Sequence, residues 1–195
     1  MKRRFHWAVV ALFLAIPSVA LGAIPPKIIN GVLDLREWNF QSDGPIALKG
    51  EWVFSWGEFT EPGVLSDAHL MQVPGFWNDT ENPQQPGEFL PGQGYGTLGL
   101  RVLLPAGAAK DLGISLEYAQ VAYSLHARGV HGSEMVLANG TPGQSQESEI
   151  AQRLPSTARL PVSSDGSVYL SWHVSNYHTM RTGTWTAPTI GPLST

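Results

Sequence analysis

Asn176, His178, Arg181 and Trp185 fall within ten residues near the end of the chain. Together they offer an amide and a guanidinium to hydrogen-bond hydroxyls or a carboxylate, and an indole to stack on a sugar face. Tyr177 lies among them, and Trp77 with Asn78 forms a second candidate pair. The same residues also suit a loop that supports itself, with Asn176 bonding its own turn and Arg181 stacking on Trp185. Both roles stand open, and the regular pattern of the loop weighs toward self-support.

Other chemistry finds less footing. His126, His131, His173 and His178 match no tight zinc spacing and have no acidic neighbour at ligand distance in sequence, so they read as surface histidines and no metal is expected. The chain has no cysteine, which removes thiol catalysis and cysteine-ligated zinc. No Gly-x-Ser-x-Gly elbow occurs, and Glu117, Glu147 and Glu149 are not paired with any polar cluster visible in sequence. The expectation is a protein without catalytic residues and without a cofactor. The Asn-x-Thr triplets at Asn78 and Asn139 read as turns.

The elements that must position these residues are strands. Trp52, Phe54 and Trp56 share one face at period two; Leu98, Leu100, Val102 and Leu104 share another; Leu112, Ile114, Leu116 and Tyr118 repeat the pattern. Tyr123, Leu125 and Ala127 follow, then Met135 to Leu137, Ala158 to Val162, and Val168 to Val174, which runs into the polar loop. Gly31 to Trp38 reads as a short entry strand, and residues 57–94 read mostly as connection. With 21 Gly, 15 Pro and seven Trp, the pattern predicts an all-β chain: a two-layer antiparallel β-sandwich, a jelly roll of about eight short strands.

Lys2, Arg3 and Arg4 precede an apolar run from Ala8 to Ile16, with Pro17 and small residues up to Ala23. Residues 1–23 read as a cleaved signal peptide, since the run is short of the ~20 residues that span a bilayer. Residues 24–195 then form one periplasmic or extracytoplasmic domain. Without the leader, nine basic residues face 16 acidic ones, a formal −7 that offers nothing to nucleic acid.

Five segments carry a resemblance in order: Gly31-Val-Leu-Asp-Leu-Arg36, Leu48-Lys-Gly-Glu-Trp-Val-Phe-Ser-Trp56, Val73-Pro-Gly-Phe-Trp-Asn78, Gly94-Tyr-Gly-Thr-Leu-Gly-Leu-Arg101, and Val174-Ser-Asn-Tyr-His178 with Arg181, Gly183 and Trp185. The chain resembles the periplasmic sensor domain of bacterial seven-transmembrane receptors with diverse intracellular signalling modules. More distantly it is similar to the galactose-binding-like jelly roll that begins family-2 glycoside hydrolases. The resemblance implies a non-catalytic sensory domain that binds a carbohydrate or another small polar ligand, followed by a seven-helix membrane partner. The alternatives are an accessory carbohydrate-binding jelly roll of a glycoside hydrolase and a structural protein-interaction domain.

Overall fold

Alternating side chains build the centre of the molecule. Strands β6 (Gly94–Leu103) and β11 (Ser167–Asn176) pair antiparallel along their full lengths, with Val102 opposite Val168, Leu100 opposite Leu170 and Leu98 opposite Trp172. These residues are all buried, because period-two patterning sends them to one face. The computed structural model describes residues 23–64, 69–82, 85–107, 111–117, 119, 121–150, 152, 156–180, 183–184 and 186–193. Within them the chain is the all-β, two-layer sandwich the sequence predicts, with one short 3-10 turn at Trp77–Asp79.

Around that centre, β3 (Gly50–Trp56) and β4 (His69–Val73) extend the large sheet on one side, and β8 (Ala122–Gly129) and β9 (Gly132–Asn139) on the other. The order is β4-β3-β6-β11-β8-β9, and β1 (Val32–Asp34) adds to the far half of β6 in parallel. The smaller sheet runs β10-β7-β13-β2, formed by Ser156–Arg159, Leu112–Leu116, Thr189–Pro192 and Ile46–Ala47. Ile46, Leu112, Ile114, Leu116 and Ile190 face the large sheet across one continuous core. A further ribbon pairs β5 (Gly75–Phe76) with β12 (Gly183–Thr184).

Aromatic rings occupy the middle of that core. Trp52 and Trp172 meet with centroids 5.9 Å apart, and Tyr123 stands edge-on to Trp172 at 6.0 Å. The Trp52 indole N–H donates to the Leu48 carbonyl at 3.0 Å, so the ring is buried without an orphaned donor.

The structure departs from the sequence reading in several places, among them the strand expected at Ala158 to Val162, which is Ser156–Arg159. The entry strand is shorter, covering Val32–Asp34 rather than running on to Trp38. The stretch read as connection holds β4, which pairs Met71 with Trp52 and forms an edge of the large sheet. The outer face of that sheet is covered, not open. Loop residues 57–64 lie on it, with the Thr60 N–H donating to Thr97 Oγ1 at 2.9 Å and the Thr97 hydroxyl donating to the Glu58 carbonyl at 2.7 Å. His173 and His126 therefore stack beneath a loop, with ring centroids 4.6 Å apart, instead of standing separately on the surface.

Candidate functional site

The end of β11 delivers the polar loop to the rim of the sandwich. Asn176 is buried there, and its carboxamide is occupied by its own surroundings. The side-chain oxygen accepts from the N–H of His178 at 3.3 Å and from the N–H and hydroxyl of Thr179, both at 3.2 Å. The side-chain NH2 donates to the carbonyls of Thr179 at 2.8 Å and Gly92 at 3.4 Å. Trp77 is also buried, giving its indole N–H to the Pro91 carbonyl at 3.0 Å and lying parallel to Phe54 with centroids 6.4 Å apart. Asn78 is partly buried, and its side-chain oxygen meets no hydrogen-bond donor. Arg181 and Trp185 lie outside the described residues, as do residues 1–22 of the leader.

Beside this loop sits Glu149, which the sequence reading left without a polar cluster and the fold places in one. The Glu149 side chain is 1% exposed and accepts the Ser175 hydroxyl at 2.5 Å and, at 3.4 Å, the Tyr177 N–H. His178 Nε2 stands 3.2 Å from its other oxygen. The carboxylate lies between the serine and the histidine, so the imidazole is not placed to take the serine proton as a nucleophile relay requires. What the cluster does is tie the loop ending at Ile150 to the loop following β11. Nothing in the run Ser145-Gln-Glu-Ser-Glu149 marks one glutamate as buried; only the tertiary fold does.

The other end of the sandwich holds an open cleft of about 550 Å3, lined by residues 36–41, 105–107, 111–112 and 192. β6 separates the two ends, since Gly94 pairs with Asn176 while Leu103 leads to the cleft. Ten residues of strand put them about 30 Å apart. Phe40 is half-buried at the cleft and Trp38 forms its back, with the indole N–H donating to the Gly44 carbonyl at 3.1 Å. The turn that presents them is braced: Asn39 Oδ1 accepts from the Gln41 N–H, and Asp43 Oδ2 from the Asn39 N–H, both at 2.9 Å. Arg36 forks onto Asp34 with a shortest contact of 2.6 Å, and this pairing holds the Asp34 carboxyl down to about 2. Asp111, 80% exposed on the rim, stands 3.5 Å from Arg159.

An aromatic ring flanked by amides, charged groups and backbone matches the chemistry that holds a sugar: apolar faces stack and hydroxyls find donors and acceptors. The volume suits a small ligand. The sequence signal was present in Trp38-Asn-Phe40-Gln, aromatics alternating with amides just before the Asp43-Gly44-Pro45 turn. The far wall comes from residues about 65 positions later, and their approach is visible only in the fold. A smaller hollow of about 350 Å3 lies against the smaller sheet, lined by Gly113, Ser115, Thr189 and Gly191 among others.

No protein-family profile matches the chain, and no curated protein matches it in sequence. Solved structures do match in fold. A β-glucuronidase of Bacteroides uniformis is similar over 75% of this chain and 17% of its own, at a TM-score of 0.53 and 17% identity. A β-glucuronidase of Ruminococcus gnavus in complex with D-glucaro-d-lactam is similar over 76% of this chain and 29% of its own, at 0.53 and 14%. A third, from Faecalibacterium prausnitzii, gives 0.50 and 14% over 76% of this chain and 31% of its own. The chain thus spans less than a third of the length of these relatives. At these identities the likeness concerns the fold: a β-sandwich also found as one part of larger glycosidases.

Proposed function

We propose that this chain is a non-catalytic β-sandwich that binds a small carbohydrate in the cleft beside Phe40. The observation that carries the reading is the cleft itself, where a half-buried aromatic ring on a braced turn faces amide and charged side chains. The presence of the same kind of sandwich in β-glucuronidases supports a carbohydrate-related role and an accessory place in such a protein. Two features support the absence of catalysis. The Ser175–Glu149–His178 cluster has its carboxylate in the middle, and Asp111 stands exposed on the rim, paired with Arg159 at 3.5 Å.

Calorimetric titration of the purified domain with a panel of neutral, amino and acidic mono- and disaccharides tests this. Phe40→Ala is expected to weaken any binding sugar by roughly 10-fold to 100-fold, the effect of losing a stacking aromatic contact with its buried area. Its melting temperature is expected to stay within a few degrees, because the ring is only half-buried. A panel in which no sugar binds, or a bound sugar indifferent to Phe40→Ala, would count against the cleft.

A second reading places the same binding domain outside the membrane of a seven-helix receptor. The basic, apolar leader and the five ordered segments that resemble receptor sensor domains favour it. Fractionation of the native gene product distinguishes the two: recovery in the membrane supports the receptor, and recovery in soluble material with a hydrolase activity supports the accessory module.

A further inference from the structure

The outer face of the large sheet carries two imidazoles that neither the cleft nor the final loop uses. His173 on β11 and His126 on β8 stack with centroids 4.6 Å apart at an interplanar angle of 36°. Phe59, from the loop at residues 57–64, stacks on the other side of His173 at 4.8 Å and 23°, and Tyr95 on β6 meets Phe59 at 5.0 Å. His173 Nε2 lies 2.9 Å from the Thr60 carbonyl. A carbonyl only accepts, so this nitrogen carries the proton and the neutral ring keeps its lone pair on Nδ1. His126 Nε2 lies 2.9 Å from the Ser124 hydroxyl. The loop is held through these rings, through Thr60 and Thr97, and through the Gly57 N–H bonded to the Tyr95 carbonyl at 2.9 Å.

We propose that this loop is an acid-labile latch, held on the sheet by the neutral His126–His173 stack and released when the pair is protonated. Two imidazolium rings stacked at this distance repel, and both are half-buried, so charge there is poorly solvated. Of the surrounding charges, Arg128 on β8 sits against Gly63 of the same loop and adds like charge two residues from His126. Glu61 on the loop opposes it by attracting imidazolium, and the other titratable groups close by are Tyr95 on β6 and Tyr169 on β11. Burial is the largest influence and holds both rings below the ordinary imidazole value; for His126 the neighbouring His173 adds to that depression, while for His173 the Thr60 carbonyl and Glu61 partly offset it.

The sign follows from proton counting. The latched form binds fewer protons than the open one, so its stability is complete above about pH 6.5 and declines as pH falls from there toward the depressed values. Release separates Phe59 from Tyr95 and His173 and uncovers those two rings on the sheet.

Hydrogen exchange on the full chain at pH 7.5 and 5.0, corrected for intrinsic chemical rates, reads the latch at the amides of Thr60 and Gly57. Protection at both is expected to fall several-fold at pH 5.0, because the open form takes up protons that the latched form excludes. Leu100 and Leu170, in the paired centre of the sheet, are expected to keep theirs. His126→Phe retains a ring against His173 but cannot be protonated, and its loop is expected to lose less protection in acid than the wild type. Unchanged Thr60 protection in the wild type overturns the latch, as does a His126→Phe loop that opens as readily as the native one. If His126→Phe perturbs the core amides, NMR titration of the native histidines decides. Both rings titrating below the ordinary imidazole value of about 6.5 supports the latch, and either titrating at or above it overturns it.

Discussion

Trp52→Ala is expected to destabilise the domain by about 3 to 5 kcal/mol, the range for removing a large aromatic from a close-packed core. The ring is fully buried, contacts Trp172 at 5.9 Å and donates to the Leu48 carbonyl at 3.0 Å. Alanine would remove the buried area, leave a cavity between the sheets and orphan that carbonyl. Since domains of this size are stable by roughly 5 to 15 kcal/mol, the variant would sit near the threshold of folding. Denaturant titration followed by the remaining tryptophans measures the loss as a fall in midpoint. A loss below about 1 kcal/mol would mean the ring is not enclosed as described.

Asn176→Ala carries the second large effect, about 2 to 4 kcal/mol, from leaving several backbone and hydroxyl groups of a buried turn without partners. The carboxamide serves the N–H groups of His178 and Thr179, the Thr179 hydroxyl and the carbonyls of Thr179 and Gly92. Asn176→Asp keeps the acceptor and loses both donors, so its expected cost is intermediate. In a domain of this length the alanine variant should melt about 5 to 15 °C lower. Sugar binding at saturating folded protein should be unaffected, because the cleft lies at the opposite end of β6. Loss of binding with a normal melting temperature would return the loop to the role of a ligand site.

The contrast between these residues shows what a sequence of this kind discloses. β6 and β11 were legible because long runs alternate, and alternation is a local property of the chain. β4 was not, since only Met71 and Val73 point inward before Pro74 interrupts the pattern. The covered outer face left no periodic trace: Thr97 and His173 are polar residues on a polar face, the first buried and the second half-buried because a loop about 40 residues before Thr97 folds back. The final loop drew attention through its side-chain types, yet Asn176 and Trp77 spend their polar groups on neighbouring backbone. The cleft was the reverse case. Arg36 to Trp38 read as the tail of an entry strand, and their meeting with residues 105–107 is a product of topology.

The central claim is that a sugar binds at the Phe40 end of the sandwich. Backbone amide shifts of the isotope-labelled domain, recorded during titration with the best-binding sugar of the panel, test it most directly. The account predicts saturable shifts concentrated at Glu37 to Gln41, Ala106 and Gly107, with Asn176 to Met180 unmoved about 30 Å away. Shifts concentrated at Asn176 to Met180, with Glu37 to Gln41 silent, would contradict it.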